Sequence, residues 1–348
     1  MSPGLPLEGV MIQLKPLLSP PPVSWTGAPD PWDTVRTTLV SERPRWSRCV
    51  AALRRFSSSP VWKPLLPALG IIAILVVTVL YILADKLRCF VANIFVPQYH
   101  YPYAVPLCFA QVLVTLLALQ LLHALGLVPL KPYSLSLGER LLVPSICDSV
   151  QAVLGMWAQA ESSHSGLYPL TMRLLPLLNV GWCHGLRLAG SPLLHVTGLV
   201  TVVTVTVVTV TSVAITASLG LSRLEPLECV YAPLALLLHS LALAWMAKAA
   251  EVEFRRPGSH VSTFDLYFTL LVNQSLILGF LCLLHPKGPQ ALGGASWHNL
   301  LFIGYLLAIL LLGMIQHFLV DVTALRLSPL VAALIHTART LVQPFYRF

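Results

Sequence analysis

From Pro64 onward the chain alternates long apolar runs with short polar breaks, a spacing of hydrophobic positions that no soluble fold requires. A hydrocarbon layer about 30 Å thick takes roughly 20 residues of helix. Residues 64–84, 188–222 and 266–286 reach that length without a formal charge. The pattern predicts an all-α integral membrane protein of about nine spanning helices, eight to ten allowing for boundary error. They are placed at 64–84, 104–128, 141–160, 167–187, 193–219, 229–248, 265–285, 299–320 and 328–346. Water is absent from the layer they cross, so each polar side chain inside them needs an internal partner or a wet cavity.

Residues 1–63 break the pattern. Ser19-Pro20-Pro21-Pro22 and Pro29-Asp30-Pro31 punctuate a stretch without helical periodicity, which reads as a disordered, basic, Pro-rich cytosolic tail ahead of the transmembrane domain at 64–348. No secretory h-region with a cleavage site precedes residue 64, so the first span is expected to act as an uncleaved signal. Most cations then fall on the side of the tail, with Lys86, Arg88, Arg223, Lys287 and Arg347 on the other, which favours an N-terminus in the cytosol. The formal charge of +8 sits in this tail and in inter-helix loops, and no basic face interleaved with aromatics suggests nucleic acid.

Residues 196–217 read VTGLVTVVTVTVVTVTSVAITA, a Val/Thr tract that soluble propensities assign to a strand. Its length and flanks override that assignment. A Thr hydroxyl in lipid can bond the carbonyl four residues earlier, so Thr201, Thr204, Thr206, Thr209 and Thr211 are expected to be packed in a helix rather than to touch a ligand.

A few polar residues inside the spans carry the candidate chemistry. Asp148 and Gln159 lie about 20° apart around one helix and Gln151 about 60° away, so one face collects all three. Arg173 stands mid-span between Pro169 and Pro176. A guanidinium there costs about 2.5 to 3.5 kcal/mol on insertion scales and calls for an anionic partner or water, with Asp148 the nearest candidate partner in sequence. Asn273 and Gln274 place two adjacent carboxamides in the middle of another span, where the formal sequon at Asn273 is out of a transferase's reach. Gln316, His317 and Asp321 end the eighth span; the i,i+4 pair of His317 and Asp321 could shuttle protons, but at the membrane edge a solvated or capping role is expected over that. His336 and Arg339 share a face of the last span, the best position for a phosphate contact through the arginine fork.

These residues form no enzyme signature: HExxH, GxSxG, a P-loop and paired carboxylates at a useful spacing are all missing from the sequence, and no cofactor is implied. The seven cysteines are scattered singly, with no CxxC and no His-Cys cluster, which argues against both a disulfide scaffold and a zinc site, and no metal ligand set is read from the spacing.

YPYAVPLCFAQVLVTLL at 101–117, the start of the third span after SLGERLLVPS, the arginine of LYPLTMRLLPLL and VNQSL in the seventh span resemble, in this order, the nucleotide-sugar transporters of the drug/metabolite transporter superfamily, nearest the branch of GDP-mannose and UDP-sugar carriers. The resemblance covers about residues 64–346. It implies two inverted halves of five helices enclosing a nucleotide sugar that is exchanged for a nucleoside monophosphate across the Golgi or endoplasmic-reticulum membrane. It also implies substrate contacts from Asp148, Gln151, Arg173, Asn273, Gln274, His336 and Arg339. The GDP-mannose members carry Phe-Tyr-Asn-Asn and Gly-Ala-Leu-Asn-Lys, where this chain has Leu271-Val272-Asn273-Gln274 and Ala332-Ala333-Leu334-Ile335-His336, so the phosphate cation would come from His336 or Arg339. The chain stops where a tenth helix would follow, which leaves a second expectation: a transport-inactive relative serving as membrane scaffold or regulator, with a second copy or a helper membrane protein filling the gap.

Overall fold

The computed structural model describes residues 66–99, 104–161, 167–189, 191–219, 228–257, 261–284 and 298–342. The tail at 1–63, the loops holding Arg223 and Lys287, Arg347 and the side chain of Gln159 lie outside the described positions. Among the described residues all regular structure is helical apart from a single 3-10 position. In chain order the helices are α1 (Leu66–Tyr99), α2 (Ala104–Ala124), α3 (Leu135–Glu161), α4 (Leu167–Met172), α5 (Leu175–Gly185), α6 (Leu194–Leu219), α7 (Glu228–Arg255), α8 (Thr263–Leu284), α9 (Leu300–Arg326) and α10 (Pro329–Val342).

Six of these, α1, α2, α6, α7, α8 and α9, are long and apolar enough to cross a bilayer. The other three expected spans take a different form. The third, α3, is long, but Glu139, Arg140, Asp148 and Gln151 dilute its apolar character. The fourth is divided into α4 and α5 by a turn at Arg173–Leu174, where Pro176 occupies the first turn of α5 and removes a backbone donor. The last, α10, has 14 described helical residues, about 21 Å of helix.

Three boundaries move outward for a common reason. Nothing between residues 84 and 96 breaks a helix, so α1 runs past its apolar stretch through Asp85, Lys86 and Arg88. Arg88, read above as a loop cation, is therefore part of a helix that spans. At the other end of its span α9 continues to Arg326, about one turn and a half beyond the expected end, which draws His317 and Asp321 inward. In the same way α7 reaches Arg255, and its extra turns are tied by Arg140 to Glu253 at 2.7 Å and by Arg255 to Glu251 at 3.1 Å.

Local chemistry fixes the helix starts. Ser262 and Asp265 make a reciprocal capping box at α8: Ser262 Oγ accepts from the Asp265 backbone N–H at 3.1 Å and Asp265 Oδ2 accepts from the Ser262 N–H at 2.8 Å. Asp265 Oδ1 also accepts from the Lys131 N–H at 2.8 Å, which ties the loop before α3 to α8. Ser328 Oγ caps the start of α10 by accepting from Val331 N–H, with Pro329 in the first helical position.

The packing centres on α3, which lies against α7, α8 and α2, while α9 lies against α1, α2, α7, α8 and α10. Leu141, Met172, Leu175, Leu243, Leu266, Leu270 and Tyr267 fill the common core. In α7, 56% of the spanning window is inside the bundle, against 11% in α1 and α6, so those two turn most of their surface outward. The main neighbours of α6 are α5 and α4. Its threonines behave as the sequence predicts: Thr201, Thr206, Thr209 and Thr211 each donate to the carbonyl four residues earlier, at 2.6 to 2.8 Å.

Candidate functional site

A polar cavity of about 90 Å³ lies within the bundle, between α1, α2, α3, α7, α8, α9 and α10. The polar residues that sequence reasoning picked from separate spans converge on it: Asp148 and Gln151 from α3, Gln274 from α8, His336 and Arg339 from α10 all line its wall. Two groupings of charge organise this wall.

The first grouping is cationic. Asp85 Oδ1 accepts from Arg339 Nη1 at 3.1 Å and from Gln316 Nε2 at 2.9 Å. Gln316 Oε1 in turn accepts from Arg88 Nη1 at 2.9 Å, while Arg88 Nη2 reaches the Met156 sulfur at 3.3 Å. The chain Arg339–Asp85–Gln316–Arg88 thus links α10, α1 and α9. Arg339 pairs directly with the Asp85 carboxylate, Arg88 reaches it through Gln316, and Arg339 and Asp85 keep only 15% and 14% of their side-chain surface exposed. A charge-assisted contact in such a setting is worth more than a surface pair, since solvent screens it little.

The second grouping is acidic and imidazole-rich. Asp148 Oδ2 accepts from Gln274 Nε2 at 2.6 Å, and its Oδ1 accepts from Gln151 Nε2 at 3.1 Å. One donor atom each from Asp148, His317 and Asp321 lies within 4.8 Å of the other two. His239 of α7 stands beside them, its Nδ1 3.9 Å from Asp148 Oδ1. The His239 ring also stacks at a tilt on His336 with centroids 4.8 Å apart, and Tyr81 lies 6.1 Å beyond.

Several expectations are corrected by this geometry. Asp148 is held by two carboxamides, and Arg173 instead donates through Nη1 to Thr211 Oγ1 on α6. The turn that splits α4 from α5 carries the guanidinium toward α6, so the proposed Arg173–Asp148 pair does not form. Asn273 is bonded outside the cavity wall: its Oδ1 accepts from Tyr133 Oη at 2.9 Å and its Nδ2 donates to the Gly138 carbonyl at 2.8 Å. One residue on, the roughly 100° turn of the helix brings Gln274 into the wall. The close approach at Asn273 depends on Gly138, because a Cβ there would collide with Tyr133 Oη. Arg339, expected from the sequence to await a phosphate, meets the carboxylate of Asp85 from α1. His317 and Asp321 line the cavity wall.

Sequence reasoning missed Asp85, Arg88 and His239. The first two follow immediately on an apolar run and look like a loop. His239 sits in LALLLHSLALAW, where a lone histidine on a packed helix carries no pattern. No protein-family model matches this chain, and no curated protein matches it.

Proposed function

We propose that this multi-pass membrane protein is a solute carrier for an organic anion, a nucleotide sugar taken up in exchange for a nucleoside monophosphate, acting in the Golgi or endoplasmic-reticulum membrane. The observation that carries the reading is the Arg88–Gln316–Asp85–Arg339 chain, of which Arg88, Gln316 and Arg339 line the cavity. Arg88 and Arg339 both line this buried polar space, and guanidinium forks match phosphate oxygens. Gln151 and Gln274 offer carboxamides for orienting a base or sugar.

The cavity of about 90 Å³ is smaller than the roughly 300 to 1,000 Å³ of sites for drug-sized ligands. In this reading the described state is a closed one, and a nucleotide sugar enters when α1, α9 and α10 separate from α3 and α8. The residues 64–348 then work as one transporter-like domain of paired halves, and the polar midspan positions line the path between them.

The small cavity also favours a second reading, a transport-inactive relative that acts as a membrane scaffold or as a regulator of another carrier. Reconstitution separates the two. Purified protein in liposomes preloaded with nucleoside monophosphates is offered labelled nucleotide sugars. Uptake that depends on the preload supports exchange; no uptake across the panel, by protein that remains folded and inserted, leaves the scaffold.

A further inference from the structure

We propose that Asp148, His317, Asp321 and His239 form an intramembrane binding site for one divalent transition-metal ion of the zinc class. Asp148 and Asp321 are buried, at 6% and 3% exposure, and share one cluster with His317. Among the described residues no lysine or arginine pairs with either carboxylate: Arg88 is committed to Gln316 and Met156, and Arg339 to Asp85. Two carboxylates this close in a water-poor interior repel each other strongly unless one holds a proton or a cation stands between them. A divalent ion brings the pair to neutrality.

His239 is an independent pointer. It is 4% exposed, lines the same cavity, and neither of its ring nitrogens has a hydrogen-bond partner. An imidazole buried without a hydrogen bond is costly, and a metal ion would use the free nitrogen as a donor. With Nδ1 3.9 Å from Asp148 Oδ1, it completes a set of two carboxylates and two imidazoles. Four ligands of that mixture suit tetrahedral zinc, whereas calcium and magnesium take all-oxygen shells. Gln151 and Gln274 donate to Asp148 and would fix its carboxylate, the part that outer-shell groups play at metal centres. No spacing in the sequence discloses the set, because its members come from α3, α7 and α9.

The inference does not rest on the transport reading, and its test measures metal rather than flux. The full chain is purified in detergent, stripped with chelator and titrated with cobalt(II), whose visible absorption reports a low-coordinate site, followed by displacement with zinc. One cobalt per chain is expected, with tetrahedral bands lost on adding zinc. Asp321→Asn and His317→Asn should each raise the cobalt Kd by more than about 100-fold, beyond the roughly 10- to 100-fold effect of losing an outer-shell partner. His184→Asn, which changes an exposed histidine on α5, should leave it unaltered. Absence of saturable binding to the wild type, or equal binding by both cluster variants, overturns the proposal. If the variants fail to fold, X-ray absorption at the zinc edge of the wild-type protein decides: a shell of nitrogen and oxygen with imidazole scattering supports the site, and sulfur ligation overturns it.

Discussion

Arg339 Nη1 lies 3.1 Å from Asp85 Oδ1, which joins the last described helix to the first. Breaking a buried pair from one side leaves an uncompensated charge and costs about 3 to 5 kcal/mol. Asp85→Ala should therefore lower the thermal unfolding midpoint of the detergent-purified protein sharply, as should Arg339→Leu. The double variant should be more stable than the sum of the two losses predicts, and strict additivity would dissolve the pair.

Arg339 also tests the anion reading. Arg339→Lys retains a charge near Asp85 but cannot present a fork, so exchange in liposomes should return only in part relative to Arg339→Ala. Full exchange by Arg339→Ala would remove this residue from the substrate path.

The tie between Tyr133, Asn273 and Gly138 is expected to be structural. Asn273→Leu deletes two hydrogen bonds, to the Tyr133 hydroxyl and the Gly138 carbonyl, for a loss of about 1 to 3 kcal/mol. Gly138→Ala should be worse than a usual surface change, since its methyl would meet Tyr133. Both are measured by thermal unfolding. If Asn273→Leu keeps its stability but loses nucleotide binding, the side chain belongs to the site after all.

Threonines of α6 should divide by partner. Thr206→Val removes only a bond to its own helix on an exposed face and should change stability by less than about 0.5 kcal/mol. Thr211→Val also removes an acceptor for Arg173 and should cost more, read as a lower unfolding midpoint. Equal effects would mean that the Arg173 contact contributes nothing.

At the start of α8 the capping box gives a local test. Ser262→Ala should cost about 1 kcal/mol, and Ser262→Gly less, because glycine also suits a cap position. Hydrogen exchange in the first turn of α8 should quicken in the alanine variant, and unchanged protection there would contradict the assignment.

The helical membrane class was legible because apolar run length alone sets it, and so was the Val/Thr helix, whose hydroxyls found the carbonyls that chemistry offered. Asp148, Gln151 and Gln274 were legible because polar groups in lipid are expensive and rarely idle. Asp85 and Arg88 were not, because charge after an apolar run reads as the run's end, and only partners far along the chain keep them inside. Asn273 and Gln274 are neighbours in sequence with opposite destinations, and adjacency cannot say which of two carboxamides turns toward the cavity. The metal-type cluster was hidden for a similar reason: Asp148, His239 and His317 belong to three different helices that only the packing of α3, α7 and α9 brings together.

The Asp85–Arg339 pair has a consequence during synthesis. The two residues are 254 positions apart, and a chain growing at about 5 to 20 residues per second needs about 13 to 50 s to supply the arginine once the aspartate exists. Throughout that interval the polar end of α1 lacks its eventual counter-ion. It must stay wet or borrow another donor, so the first helix cannot settle into its final depth until the ribosome has delivered the last.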